Sequence, residues 1–152
     1  MSAPVLILRM TVPGLPKAKG RTKTRVVVPK SGKPFATVYT PAATRNEEAV
    51  IRDMAAQVMG GAPPLEGPVE LRVTIYLPIP ASWSRKRQQL ALDGLLLPTT
   101  KPDWDNAAKI TAAVNGILWR DDSQVTDAHI FKRYSDRPRV VIEVRPIVGK
   151  LP

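Results

Sequence analysis

Five of the thirteen acidic residues, Asp103, Asp105, Asp121, Asp122 and Asp127, fall between positions 103 and 127. Asp103 and Asp105 stand two apart in a Pro-containing turn that opens a helix, and Asp121 and Asp122 are adjacent after that helix and a short strand. Carboxylates arranged in this way can converge at one end of a helix–strand unit. Like charges a few ångströms apart repel by several kcal/mol at intermediate dielectric, so such a group calls for a cation between its members. The chain has no Cys and one His, so the available ligands are oxygens and the natural cation is Mg2+ or Mn2+. A hard metal held by aspartates suits phosphodiester chemistry, where it activates water and neutralises developing charge. Lys109, four residues after Asp105, lies one turn along the same helix face, where it can pair with Asp105 or reach a scissile phosphate.

Each part alone has an ordinary explanation. A single Asp at a helix start is a cap, an Asp-Asp pair after a helix is a solvated turn, and a Lys four residues from an Asp is a surface ion pair. Trp104 and Trp119 read as packing anchors. His129, alternating with apolar neighbours, reads as structural and takes no role. The conjunction of these parts, not any one of them, points to a metal site.

The charge is distributed in keeping with an anionic substrate. The net charge is +10, and residues 1–46 hold nine basic residues and no acidic one, while the remainder is nearly neutral. Such asymmetry points to a polyanion, most often nucleic acid; the bland alternative is a basic surface that serves solubility. The absence of Cys excludes disulfide and thiolate–zinc frameworks, and the single His excludes a multi-histidine metal site. A hydrophobic content of 43% with 24% charged residues argues against wholesale disorder. No apolar run approaches the ~20 residues of a membrane-spanning helix. The opening MSAPVLILRMTVPG lacks a basic start and is interrupted by Arg9, so no signal peptide and a cytoplasmic location are expected.

The elements that must position these residues can be read from periodicity. Residues 4–11 read as a buried strand. Residues 13–38 read as a mobile basic arm with a loose hairpin, Val26–Val28 and Ala36–Tyr39 flanking a Pro- and Gly-containing tip. A first helix is predicted with Thr40 as cap, Pro41 at its first position, Ala43, Val50, Met54 and Val58 on its buried face, and Gly60-Gly61 at its end. Val69, Leu71, Val73, Ile75 and Leu77 alternate with polar neighbours, which predicts a strand with one buried and one wet face. A short basic helix over Arg85–Leu92, capped by Ser82 or Ser84, is followed by a helix over Asn106–Val114. Val125–Phe131 and Arg139–Arg145 read as a closing pair of strands. The fold class expected is α/β in the loose sense (α+β), a single domain over 1–152 with a mixed or antiparallel sheet and about three helices.

At its densest point the sequence resembles the RusA family of Holliday-junction resolvases. The run Lys101-Pro102-Asp103-Trp104-Asp105-Asn106, then Lys109, then Trp119-Arg120-Asp121-Asp122-Ser123-Gln124-Val125 matches that family's K-P-D-x-D-N…K…(aromatic)-x-D-D-x-Q-V pattern. Looser agreement runs through Gly14–Arg21, Tyr39-Thr40-Pro41 with Thr44-Arg45, and Pro80–Arg87, so the resemblance covers residues 5–146, with high specificity in 101–125. It implies that Asp103, Asp105 and Asp122 are catalytic and hold Mg2+ (Mn2+ as substitute), with Asp121 as a helper. Lys109 would match the essential lysine, and Asn106 and Gln124 would support the motif. It further implies a homodimer that places paired, symmetric nicks in four-way DNA junctions, in recombination and repair. One departure stands out: Ala113 occupies a position where family members often carry an acid.

The reading that follows is a metal-dependent, structure-selective DNA endonuclease with no small-molecule cofactor and no membrane association. Lys17, Lys19, Arg21, Lys23 and Arg25 of the arm, with Arg45, Arg85, Lys86 and Arg87, would contact the DNA backbone, which positions a duplex without reading its sequence and makes affinity fall steeply with salt. The alternatives are a non-catalytic binder of branched or double-stranded nucleic acid and, as a third reading, a nuclease directed at RNA.

Overall fold

The computed structural model describes residues 6–14, 23–30, 32–33, 35–39 and 42–150; within these, the side chains of 23–24, 35, 37–39, 42–46 and 109–110 are left undescribed. In chain order the elements are β1 (Leu8–Pro13), β2 (Lys23–Val27), β3 (Phe35–Tyr39), α1 (Ala42–Met59), β4 (Val69–Pro78), α2 (Arg85–Leu92), α3 (Trp104–Ile110), β5 (Val125–Ser135) and β6 (Arg139–Pro146). Two 3-10 turns, Thr111–Val114 and Asp122–Gln124, follow α3 and precede β5. The main sheet has the order β1-β6-β4-β5, and β2 and β3 form a separate antiparallel pair. This is the α+β arrangement expected, with a mixed sheet: β4 runs parallel to β5 and antiparallel to β6.

The alternation along β4 is what places it at the centre. Val69, Leu71, Val73, Ile75 and Leu77 are all buried, at 5% exposure or less, and join Val140, Ile142 and Val144 of β6 in one core. Burying a side chain of this size stabilises by roughly 1.5–3 kcal/mol, so this face dominates the sheet's energetics. The two terminal strands of the chain are therefore not a hairpin, contrary to the expectation. The segment after Ser135 passes over the end of β4, and β6 pairs on the far side of it with Tyr76 opposite Arg139. That crossing is tied by Ser135, whose hydroxyl accepts from the Arg137 amide N–H at 3.2 Å and from the Arg139 guanidinium at 3.1 Å. The parallel β4–β5 pair requires a long crossover, and residues 79–124 with α2 and α3 supply it.

Several boundaries and faces differ from the periodicity reading: β5 runs four residues past Phe131 to Ser135, and β2 spans Lys23–Val27 rather than Val26–Val28. The first strand spans Leu8–Pro13 and buries only Met10 rather than most of its length; of the expected span 4–11, residues 6 and 7 precede the strand and 4–5 lie outside the described residues. In α1 the buried face is turned by about one residue: Ile51 and Ala55 are at 2% and 0% exposure, while Val50 is 56% exposed. The small Ala55 lets the helix approach β1 and the Thr111–Val114 turn closely. Gly60 and Gly61 end α1 as expected, with φ of 56° and 86° that a side chain would strain; the capping positions Thr40 and Pro41 lie outside the described residues. The third helix begins at Trp104 rather than Asn106 and tightens to 3-10 geometry at Thr111. The α2 helix matches its expected span, with Ser84 as the cap accepting from the Arg87 amide at 3.2 Å.

Candidate active site

The Asp121-Asp122 pair sits in the turn that launches β5, and its geometry is set by three neighbours in sequence. Asp121 has extended backbone (φ −149°, ψ 145°) and caps the 3-10 turn, its carboxylate accepting from the Ser123 amide at 3.1 Å and from the Ser123 hydroxyl. Those bonds, the hydroxyl's first and the amide's second, hold the Asp121 carboxyl below its ordinary pKa because they favour the charged form. Gln124 closes the reciprocal cap: its Oε1 accepts from the Arg120 and Asp121 amides at 2.8 and 2.9 Å. Its Nε2 donates to the carbonyls of Leu65 and Gly67 at 2.9 and 3.0 Å, which ties the turn to the segment leading into β4. All four hydrogen-bonding capacities of one amide are thereby used.

Asp122 is oriented from beneath. Trp119, at 0% exposure, donates its indole Nε1–H to Asp122 Oδ1 at 2.8 Å. Trp119 is thus the packing anchor expected and also a hydrogen-bond donor to the carboxylate, a role that its spacing three residues before Asp122 could have suggested. Gly116, with φ of 81°, makes the turn that brings its amide to the Trp119 carbonyl at 2.8 Å.

Asp103 and Asp105 bracket the start of α3. The Asp103 carbonyl accepts from the Asn106 amide at 3.1 Å, and its carboxylate meets Lys101 Nζ at 2.6 Å, with the two side chains 55% and 82% exposed. Asp105 lies in the first turn and is half-buried, as is Asn106, and the helix is fixed to the core through Ala107 at 0% exposure. Trp104 is 66% exposed, which corrects its reading as a packing anchor: Ala107, three residues on, carries the buried face. The approach to this loop is held by Lys132 of β5, whose Nζ donates to the Thr100 carbonyl at 2.5 Å. The Lys109 side chain lies outside the described residues. Ala113 is 4% exposed, and its carbonyl accepts from Arg52 of α1 at 3.2 Å, so an acid at this position would be set into the core.

The pairs are connected through secondary structure: α3 packs on β4 and β5, and β5 begins directly after the Asp122–Gln124 turn. Among the described residues no three His, Asp or Glu side chains converge in a way that could hold a metal ion. The donor chemistry nonetheless fits a hard cation, since every candidate ligand is a carboxylate.

Of the residues expected to contact DNA, Arg85, Lys86 and Arg87 are exposed on α2, and the Arg87 guanidinium stacks 4.0 Å from the centroid of Trp83. Trp83 in turn meets Tyr134 edge-on at 5.2 Å, so this basic helix is braced against β5. Arg25 is exposed on β2. Lys17, Lys19 and Arg21 lie outside the described residues, as do the side chains of Lys23 and Arg45. Sequence reasoning missed Glu70, which is buried on β4 at 9% exposure and bonded by Arg145 at 2.6 Å, with Arg72 at 3.4 Å and His129 at 3.9 Å. The Arg145 hydrogen bond lowers its carboxyl pKa against the opposing effect of burial. No local signal marks an acid in an alternating strand as buried.

Among the described residues no helix is long and apolar enough to cross a membrane. The family model Endodeoxyribonuclease RusA matches residues 13–145. A Bacillus subtilis (strain 168) protein, Uncharacterized protein YqaN, is 36% identical over 143 residues, spanning 92% of this chain and 96% of that one. With the aspartate turn, the α3 loop and strands β4 and β5 all inside the matched span, the chain belongs to the RusA endodeoxyribonuclease family.

Proposed function

We propose that the protein is a Mg2+-dependent endodeoxyribonuclease that resolves four-way DNA junctions, acting as a homodimer that nicks opposing strands symmetrically in recombination and repair. The observation that carries this reading is the family match over residues 13–145, which contains both aspartate pairs. In this reading Asp103, Asp105 and Asp122 hold the metal, and Asp121 supports it from the capped turn. A divalent cation at such a site supplies an acidified water and neutralises charge on the phosphate. Trp119 fixes the direction of Asp122, Gln124 fixes the turn, and Lys109 meets the scissile phosphate. Arg85, Lys86 and Arg87 on their braced helix hold the backbone of a junction arm.

Cleavage of a synthetic four-way junction with and without Mg2+, mapped on all strands, tests the reading. Paired symmetric nicks that require the metal are expected, and so is their loss in Asp105→Asn with junction binding retained. Full activity of Asp105→Asn would overturn the site. The second reading, a non-catalytic binder of branched nucleic acid, is favoured by one observation: no three acidic or His side chains converge among the described residues. Metal titration separates the two, because an ion bound only by the native state raises the unfolding temperature.

A further inference from the structure

The helices pack on one face of the main sheet, and the other face carries a pattern that the aspartate site does not use. Strand register sets Arg139 and Arg133 on either side of Tyr76, and places Phe131 next to Thr74. The rings are capped: the Arg139 guanidinium lies 3.8 Å from the Tyr76 centroid, and Arg133 and Arg72 lie 5.3 and 5.7 Å from that of Phe131. Val141, in the middle of this face, is 2% exposed, so the long side chains around it close over the sheet.

The face is electrically polarised. At one end Glu70 is satisfied by Arg145, Arg72 and His129. At the other, no carboxylate of the described residues lies within ion-pair distance of Arg133 or Arg139. One nitrogen of each guanidinium is engaged within the chain: Arg139 Nη1 donates to the Ser135 hydroxyl and the Arg137 carbonyl, and Arg133 Nη1 to the Lys132 carbonyl. Stacking on a ring fixes the plane, and the remaining N–H groups are the ones that can meet phosphate oxygens. Arg139 and Arg133 stand two strand spacings apart, about 10 Å. That is on the scale of the roughly 12 Å major groove, whose rims are phosphates.

We infer that this sheet face, on which no helix of the described residues packs, docks the phosphate backbone of a double-stranded DNA arm. Charge complementarity selects a polyanion, because Arg133 and Arg139 at this end of the face have no carboxylate partner among the described residues. The capped rings select duplex over single strand, because a base cannot stack on an aromatic face that a guanidinium already covers. The inference rests on the nuclease reading only in taking DNA as the polyanion.

Fluorescence-anisotropy titration of a linear duplex over a salt series tests it. The double variant Arg133→Ala/Arg139→Ala is expected to bind about tenfold more weakly and to lower the log–log salt slope by about two, one for each phosphate that is no longer neutralised. The double Lys variant keeps the charge and should keep the slope. If the Ala pair does not fold, Arg133→Gln alone leaves the Tyr76–Arg139 stack intact and should lower the slope by about one. Wild-type affinity and slope in these variants would overturn the inference. So would a changed sedimentation mass with unaltered DNA affinity, or tighter binding of single strands than of duplex. A protein that binds duplex through these arginines but cuts no junction leaves this face assigned and removes the nuclease reading. A junction-cutting enzyme whose duplex affinity ignores them does the reverse.

Discussion

The two aspartate pairs are built to different standards of rigidity. The Asp121-Asp122 turn is pinned from three directions, by the Ser123 bonds, by the fully engaged Gln124 amide and by the indole of a completely buried Trp119. The Asp103–Asp105 segment opens a seven-residue helix at the surface, with Trp104 66% exposed and Asp103 facing a largely exposed Lys101. An exposed ion pair of this kind holds little, typically under 1 kcal/mol. In the proposed reading, the turn before β5 would supply the more firmly fixed half of a metal site and the start of α3 the more exposed half.

Several substitutions separate the halves. Asp122→Asn removes the fixed carboxylate and is expected to lower the rate of junction cleavage on the order of 10^3-fold or more, read in single-turnover assays; a loss under tenfold would take Asp122 out of the site. Trp119→Phe keeps an aromatic core residue but removes the indole bond to Asp122, so the Mg2+ concentration for half-maximal cleavage should rise about 10–100-fold, the usual cost of removing an outer-layer partner. An unchanged metal requirement would make Trp119 a packing residue only. Gln124→Ala leaves two amides and two carbonyls without their partner and should destabilise the fold by about 2–4 kcal/mol in urea unfolding; Trp104→Phe, on the exposed helix start, should stay within about 0.5 kcal/mol. Equal effects at 124 and 104 would erase the distinction between the pairs.

The smallest effects are electrostatic. Lys101→Ala should change stability by less than about 1 kcal/mol, and the change should vanish at high salt. Asp121 has a lowered folded pKa, so its contribution is present above the unfolded value near pH 4 and is lost as pH falls through the folded one. Asp121→Asn should therefore flatten the decline of stability below about pH 4, measured by thermal unfolding across pH; an unchanged acid limb would show that the Ser123 bonds do not survive in solution.

The central strand was legible because its five alternating apolar residues all fall on one side of a pleat. The two aspartate pairs and Gln124 were legible as a motif, since their spacing is local. The face of α1 was misjudged by one position, because Val50 and Ile51 are equally apolar and only the approach to β1 decides between them. Trp104 was misjudged for a related reason: it opens α3 at the surface, and Ala107, three residues on, faces the core in its place.

Sequence alone determined the elements, the acid-free basic stretch over residues 1–46 and the residue types offered to a metal, because these depend on neighbours within about four positions or on composition. Tertiary structure decided that β4 separates β5 from β6, that Glu70 is buried under Arg145, and that Gln124 reaches Leu65 and Gly67, 59 and 57 positions away. Such contacts are chosen by the collapse of the whole core and by strand register, and nothing within one turn or one strand specifies them.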